Sequence, residues 1–376
     1  MLDSIVVALA DVALQQLTSQ GFISGGHNGP YFDPETPVRN TAHWATTLAV
    51  LYQRDGDDKY RQGVQICVDY LKSNQARPMK AAFHCRTSVR KDFSNGTIGQ
   101  AWAIEGLVAG YIALADESCL DLAEQTFLLH IFDDKFGMWN VRNVDGSMRG
   151  FDMTFNHQLW LAAAGYVLLS VRDNAEIRRQ CDAFMAGLSK RLRVYGNGLI
   201  KHPIVNTPTL FKKVKFTIES LLESIRLKKA GKTKLYKENG YHLFNVYAFA
   251  LIKKHGGNTS FMQLEAFQKA LAYCGSDELF KWQDESSRAI DCHTMKGVKH
   301  DAMNIYGYGY NAPGFELPYI AKVFADSQPD LASKVGGVIA KQIDSTYDSE
   351  RESFCVNTED SLTLNARIYE YVRCWQ

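Results

Sequence analysis

Apolar positions recur along the chain with helical spacing, in two distinct patterns. In segments 1–18, 57–73, 117–130, 175–193, 259–274 and 329–343 they return every three or four residues with charged residues between, as in DNAEIRRQCDAFMAGLSKRL. That spacing predicts helices with one buried and one solvated face. Between these segments stand stretches that open polar or glycine-rich and then turn almost wholly apolar or small: RNTAHWATTLAVLY, GTIGQAWAIEGLVAGYIAL, MTFNHQLWLAAAGYVLLS, ENGYHLFNVYAFALI, PGFELPYIAKVFA and DSLTLNARIYEYV. Helices of this second kind are buried on nearly every side. The two kinds alternate, which predicts six outer and six inner helices in antiparallel pairs, with a further amphipathic helix inserted near 213–229. Repeated helix pairs form toroids or solenoids. A solenoid needs capping ends and more uniform repeats, so the expected fold is all-α, a closed (α/α)6 barrel forming one domain over residues 1–376.

Two short β segments interrupt the helices. In FGMWNVRNVDGSMRGFD, alternating runs flank Asp145-Gly146, a strong hairpin turn signal, and GNGLIKHPI at 196–204 reads the same way. Both precede inner helices, so they would line one mouth of the ring.

With 46% hydrophobic and 22% charged residues in 376, the chain can bury a large core, which excludes disorder. The net charge of +1 removes the broad field that non-specific nucleic-acid binders use. The eight cysteines are scattered with no C-x-x-C pair, which argues against a zinc ribbon and predicts buried free thiols. With no H-x-x-x-H, H-E-x-x-H or G-x-G-x-x-G after a strand, neither a metal nor a nucleotide cofactor is expected. No apolar run reaches membrane-spanning length, and no basic stretch precedes the first apolar segment, so a cytoplasmic location is expected, a removed signal aside.

Polar residues collect where the inner helices start: Arg39, Asn40 and His43; Asn95, Thr97 and Gln100; Asp152, Asn156 and His157; Glu238, Asn239, His242 and Asn245; Asn311 and Glu316; Asp360, Asn365 and Arg367. If the inner helices run parallel, all of these meet at one end. Helix capping accounts for Asp152, Thr154 and Asp360, and first-turn dipole complementation for Glu316 and Asp360. It does not account for His43, His157, His242 and Asn365, which stand a turn inside apolar helices, where an unpaired polar group costs about 1–3 kcal/mol. Aromatic residues accompany them, among them Trp44, Trp102, Trp160, Tyr308 and Tyr310. Aromatic platforms beside amide and imidazole donors suit an oligosaccharide. The basic cluster of Arg86, Arg90 and Lys91 beside such a mouth favours an acidic sugar. The expected partner is therefore an acidic saccharide, bound through Arg39, His43, Trp44, Asn95, Gln100, Trp102, Trp160, His242, Tyr310, Asn311 and Asn365.

This alternation of helices with polar inner-helix N-termini resembles the (α/α)6-toroid carbohydrate enzymes, which include alginate-type polysaccharide lyases, unsaturated glucuronyl hydrolases and sugar epimerases. Asn156-His157-x-x-Trp160 is similar to the Asn-Asn-His-x-x-Trp stretch of toroid alginate lyases, with Phe155 in place of the first Asn. The resemblance implies that Asn156 holds a uronate carboxylate and that His157 takes or holds the C5 proton. Arg149, just after the hairpin turn, is the candidate partner of the acid group, and Tyr308 the candidate proton donor to the leaving oxygen. Loss of the leaving group gives β-elimination; return of the proton to the other face gives C5 epimerisation. A hydrolase would need paired carboxylates instead, drawn from Asp152, Asp301, Glu238 and Glu316. A non-catalytic glycan-binding toroid is the third alternative.

Overall fold

The computed structural model describes residues 1–27, 33–89, 91–204, 235–280 and 312–376. Six inner helices appear in the order expected: α2 (Val38–Asp55), α4 (Ile98–Leu114), α6 (Phe155–Leu169), α8 (Leu235–Lys254), α10 (Pro313–Val323), and a broken last one, α12 (Ser361–Ala366) followed by α13 (Tyr369–Val372). Each packs on the next, and α12 and α13 return to α2, closing a ring. The outer helices α1 (Leu2–Gln20), α3 (Asp58–Lys72), α5 (Glu117–Leu129), α7 (Ala175–Ala186), α9 (Glu265–Tyr273) and α11 (Leu331–Thr346) back it. The architecture is the closed all-α barrel that the alternation predicts, built around one continuous hydrophobic core.

Local chemistry explains the division. Every residue of α4 from Ile98 to Gly110 is buried, whereas α7 buries only Ile177, Gln180, Cys181, Phe184 and Met185. Small residues let the inner helices approach: a Cβ on Gly106 would lie 2.8 Å from Cα of Ala42, so α2 and α4 touch backbone to backbone there. Three outer helices, α3, α5 and α7, begin on side-chain caps, with Asp57 accepting from the Lys59 N–H, Asp116 from Ser118 and Asn174 from Glu176 and Ile177. The inner helices α2, α4 and α6 have no side-chain cap of their own, which leaves their first-turn N–H groups available to other partners at the mouth.

The hairpin sequence forms an antiparallel sheet of β1 (Phe132–Asp133), β2 (Met138–Arg142) and β3 (Met148–Phe151), with Gly146 in the left-handed region at φ 84° donating to the Asn143 carbonyl. Val194 pairs with Ile200 in the second predicted hairpin. A third, β4 (Tyr347–Asp348) with β5 (Ser353–Phe354), has no Asn-Gly or Asp-Gly signal in its turn. The predicted helices over 175–193, 259–274 and 360–372 are shorter than their periodicity suggests. α7 ends at Ala186, a 3-10 turn at Ser260–Gln263 precedes α9, and the last inner helix breaks after Ala366. The inserted helix near 213–229 lies outside the described residues.

A repeated device joins extended segments to the ring. The N–H of Ile23 donates to Thr41 Oγ1, that of Phe83 to Gln100 Oε1, that of Trp139 to Gln158 Oε1, that of Ile200 to His242 Nδ1 and that of Phe354 to Asn365 Oδ1, at 2.8 to 3.3 Å. Five inner helices thus each use one polar side chain to clamp an apolar residue of an extended segment beside them. A buried backbone N–H must find a partner, and the clamp supplies it.

Candidate active site

The clamps change how the mouth residues read. Gln100 spends its whole amide on backbone, accepting from Phe83 and donating to the Phe83 and Ser94 carbonyls. His242 is fully buried between the Ile200 N–H and the Ala270 carbonyl, which its Nε2 meets at 2.9 Å. Burial holds its pKa down at about 4 against the pull of that carbonyl, so it is neutral at physiological pH. Asn365 bridges Phe354 and Ser353, and Glu238 accepts from Tyr195 and from the His202 N–H. These residues, expected to meet substrate, spend these groups on holding the frame.

His157 differs. Its Nδ1 lies 2.7 Å from Oδ2 of Asp152, just before α6, while its side chain keeps 21% of its surface exposed. The same carboxylate accepts from the N–H of Thr97 at the start of α4 and from the N–H of Thr154, both at 3.1 Å. Burial works to raise the Asp152 carboxyl, but the facing His157 and these hydrogen bonds hold it below the usual carboxylate range. An anionic carboxylate on Nδ1 leaves Nε2 as the proton-exchanging edge of the ring, an arrangement that orients a general base.

Gly96 fits between the walls of this site. It stands at φ 60° after Asn95 at φ 57°, two successive left-handed residues that turn the chain into α4. A Cβ there would collide with Asp152 Oδ2 and lie 2.6 Å from His157 Nδ1. Its N–H donates at 2.6 Å to Oδ1 of Asp92, whose other oxygen meets Arg86 at 2.5 Å; Arg86 also reaches Asn95 Oδ1 at 2.9 Å. Burial pushes the Asp92 carboxyl up, yet Arg86 and the Gly96 N–H bring it below its ordinary value. Two carboxylates, Asp92 and Asp152, therefore border one glycine beside a histidine. Asp92 and Gly96 escaped the sequence reading; the one trace of them is an Asp four residues before a Gly at a helix start.

The remaining expectations divide by position. Asn156 is buried beside His157, and its Oδ1 has no partner among the described residues. Arg149 is exposed on β3 and is not brought to Asn156 by any contact of the described residues. Trp44, Trp102 and Trp160 are buried, and the faces of two are taken: the Arg39 guanidinium covers Trp102 at 4.3 Å and Phe244 stacks on Trp160 at 4.4 Å. They are not exposed platforms. Asn95 serves Arg86, and Arg39 pairs with Glu35. His43 and Glu316 lie deep in the ring. Tyr308, Tyr310, Asn311 and Asp301 lie outside the described residues. Among those described, no group of three potential ligands holds a metal, seven cysteines are free thiols, and no helix is long and apolar enough to cross a membrane.

No family model matches the chain. Solved (α/α)6-toroid structures match it over nearly its full length. They include an unsaturated glucuronyl hydrolase from Bacillus sp. GL1, responsible for degradation of glycosaminoglycan (TM-score 0.60, 13% identity, covering 100% of this chain and 96% of that one). Another is the cellobiose 2-epimerase of Bacillus thermoamylovorans (0.59, 11%, covering 93% and 92%). An inactive variant of an α-1,6-mannanase of Salegentibacter, solved with α-1,6-mannotriose, also matches (0.52, 10%, covering 97% and 98%), so fold neighbours bind oligosaccharides. At these identities the likeness shows the fold, which is shared with carbohydrate-active enzymes. Archaeal glycosylation protein Q of Haloferax volcanii is 32% identical across 99% of this chain and 97% of its own length. With that identity sustained along both chains, the protein belongs to the family of archaeal glycosylation protein Q.

Proposed function

We propose that the protein is a sugar-converting enzyme of glycan assembly, with Asp152 and His157 as the proton-transfer pair. The observation that carries the reading is the 2.7 Å contact of His157 Nδ1 with the Asp152 carboxylate, which also accepts from two backbone N–H groups, on a ring whose side chain keeps 21% of its surface exposed. Such a pair suits removal of a proton from a carbon next to a carboxylate or carbonyl, where the enolate that forms is the difficult species. In a uronate that proton is the one on C5. The backbone N–H groups that start α4 and α6 are turned to Asp152, so the positive ends of both helices support the ionised carboxylate of the pair. Return of the proton to the opposite face gives the epimer, and departure of the C4 substituent gives the unsaturated sugar. The relative's name supports a place in glycosylation.

A hydrolytic reading rests on a separate observation, the two carboxylates Asp92 and Asp152 on either side of Gly96. Incubation with uronate-containing oligosaccharides in deuterated water separates the readings. Proton abstraction washes deuterium into C5 or creates a chromophore in the near ultraviolet. Hydrolysis releases a reducing end with neither change, and that result would replace the His157 reading with the carboxylate one.

A further inference from the structure

The turn that seats Gly96 beside Asp152 is imposed from outside the pair. Asn95 and Gly96 are both left-handed, a backbone that costs a residue with a Cβ, such as Asn95. One guanidinium gathers the loop into this shape. Arg86 Nε donates to the Asp92 carbonyl at 2.6 Å, Nη2 to Asp92 Oδ2 at 2.5 Å and Nη1 to Asn95 Oδ1 at 2.9 Å. Asp92 passes the restraint on, since its Oδ1 accepts from the Gly96 N–H at 2.6 Å and from Ser94 Oγ at 3.1 Å. The next N–H along the chain, that of Thr97, donates to Asp152.

Arg86 is itself anchored. Its N–H donates to the Phe93 carbonyl and its backbone pairs with Glu35, while the Thr36 N–H donates to Cys85 and the Thr87 N–H to Pro34 on either side. It is 6% exposed, so the cation that the sequence offers to an acidic sugar is enclosed by its own loop, and Lys91 of the same cluster pairs with Asp33. Asp92 is as fully engaged. Each of its oxygens accepts from the loop, and its side chain is 15% exposed. An ionised carboxylate saturated with donors is a poor proton acceptor and has no proton to give. The three bonds of Arg86 need a planar fork with fixed donor directions, which a lysine does not provide.

We infer that Arg86 and Asp92 are positioning residues for the Asp152–His157 pair. They act through the Asn95–Gly96 turn, which aims the Thr97 N–H at Asp152 and packs Gly96 against both members of the pair. Neither touches the reacting atoms. The inference rests on the proposed proton-transfer reading, and it gives Asp92 a part other than that of a second reacting carboxylate.

The test compares the wild type with Arg86→Lys, Asp92→Asn and the double variant in two measurements. Residue-resolved hydrogen exchange reads the turn without any turnover. Arg86 bonds to neither the Gly96 nor the Thr97 N–H. Arg86→Lys should nonetheless speed exchange of both amides at least about tenfold, while the clamped amides of Trp139 and Ile200 keep their wild-type rates. Asp92→Asn, which preserves the shape of the side chain, should do the same. Kinetics on the uronate-containing oligosaccharides should show each single variant losing about 10- to 100-fold in kcat with KM within about threefold, and the double variant losing no more than either single one. Unchanged exchange at Gly96 and Thr97 overturns the inference. So does equal acceleration at Trp139 and Ile200, because Arg86 would then support global stability only. A raised KM with normal kcat in Arg86→Lys would mark a cation that binds substrate, and an inert Asp92→Asn beside a nearly normal Arg86→Lys would assign Asp92 to the chemistry; either result also overturns it. The catalytic reading fails separately. A wild type without deuterium uptake or chromophore refutes that reading, and the exchange rates still decide whether Arg86 and Asp92 hold the turn.

Discussion

Replacing Asp152 by Asn removes the charge and almost nothing of the shape, so the hydrogen bonds around it set the cost. Oδ2 accepts from His157 and the Thr97 N–H, and Oδ1 from the Thr154 N–H. An amide has one acceptor oxygen. Turned toward Thr97 and His157, it faces its NH2 to the Thr154 N–H; turned the other way, it faces NH2 to Thr97 and His157. Either way one backbone donor at a helix start loses its partner, at about 1–3 kcal/mol, and a charge-assisted bond is exchanged for a weaker one. The expected loss is about 2–4 kcal/mol, a fall in Tm of roughly 3–5 °C for a chain of this size. His157→Ala removes one bond from a partly exposed ring and should cost about 1 kcal/mol or less. If the pair works as a unit, both variants lose about 100-fold or more in kcat, and the double variant loses no more than either single one. The assay is a double-mutant cycle on kcat beside thermal melts on the same samples. Additive losses of kcat, or an Asp152→Asn variant that is unstable but fully active in its folded fraction, would refute the reasoning. Acid stability gives a second check. The carboxyl's folded pKa is depressed, so its contribution is present above the unfolded value near 4 and disappears as pH falls through the folded one. Asp152→Asn should therefore flatten the acid limb of the stability curve.

Gly96→Ala should cost about 1–2 kcal/mol from its left-handed backbone alone, and its Cβ must push Asp152 and His157 aside, so kcat is expected to fall about 10- to 100-fold; normal kinetics would show that the site tolerates displacement. Gln158 accepts from the Trp139 N–H and donates to the Trp139 and Asp152 carbonyls; Gln158→Leu leaves these buried groups unpaired and should lower the urea midpoint by the equivalent of about 2–4 kcal/mol, whereas an unchanged midpoint would show the clamp to be dispensable. Burial pushes the Glu316 carboxyl up to about 8 against the pull of Arg367, while an unfolded glutamate titrates near 4. Between those values the native state holds a proton that the unfolded chain does not, so stability falls as pH rises through the window. Urea melts at pH 5 and 8.5 should then show Glu316→Gln gaining on the wild type as pH rises, and parallel curves would contradict the assignment.

The sequence alone determined the ring. Whether a helix is buried on one face or on all sides is written in its own composition, so RNTAHWATTLAVLY and DNAEIRRQCDAFMAGLSKRL declare their layers without reference to any partner, and alternation of the two leaves closure as the economical arrangement. The turn at Asp145-Gly146 was legible for the same reason, since it depends on neighbouring residues only. The division of labour among the polar residues was not legible. Gln100, His242 and Asn365 looked like ligands of a mouth, yet whether a buried amide or imidazole is spent depends on backbone groups 11 to 42 residues away, at Phe354, Phe83 and Ile200. His157 and Gln158 are adjacent in sequence, and only the fold gives one an open edge beside Asp152 and the other a frame to hold. The pairing of Asp92 with Asp152 across Gly96 needs the starts of α4 and α6 side by side. Local periodicity fixes which face of a helix is buried; hydrogen-bond satisfaction is a contact property between distant segments, and it is decided only when the ring closes.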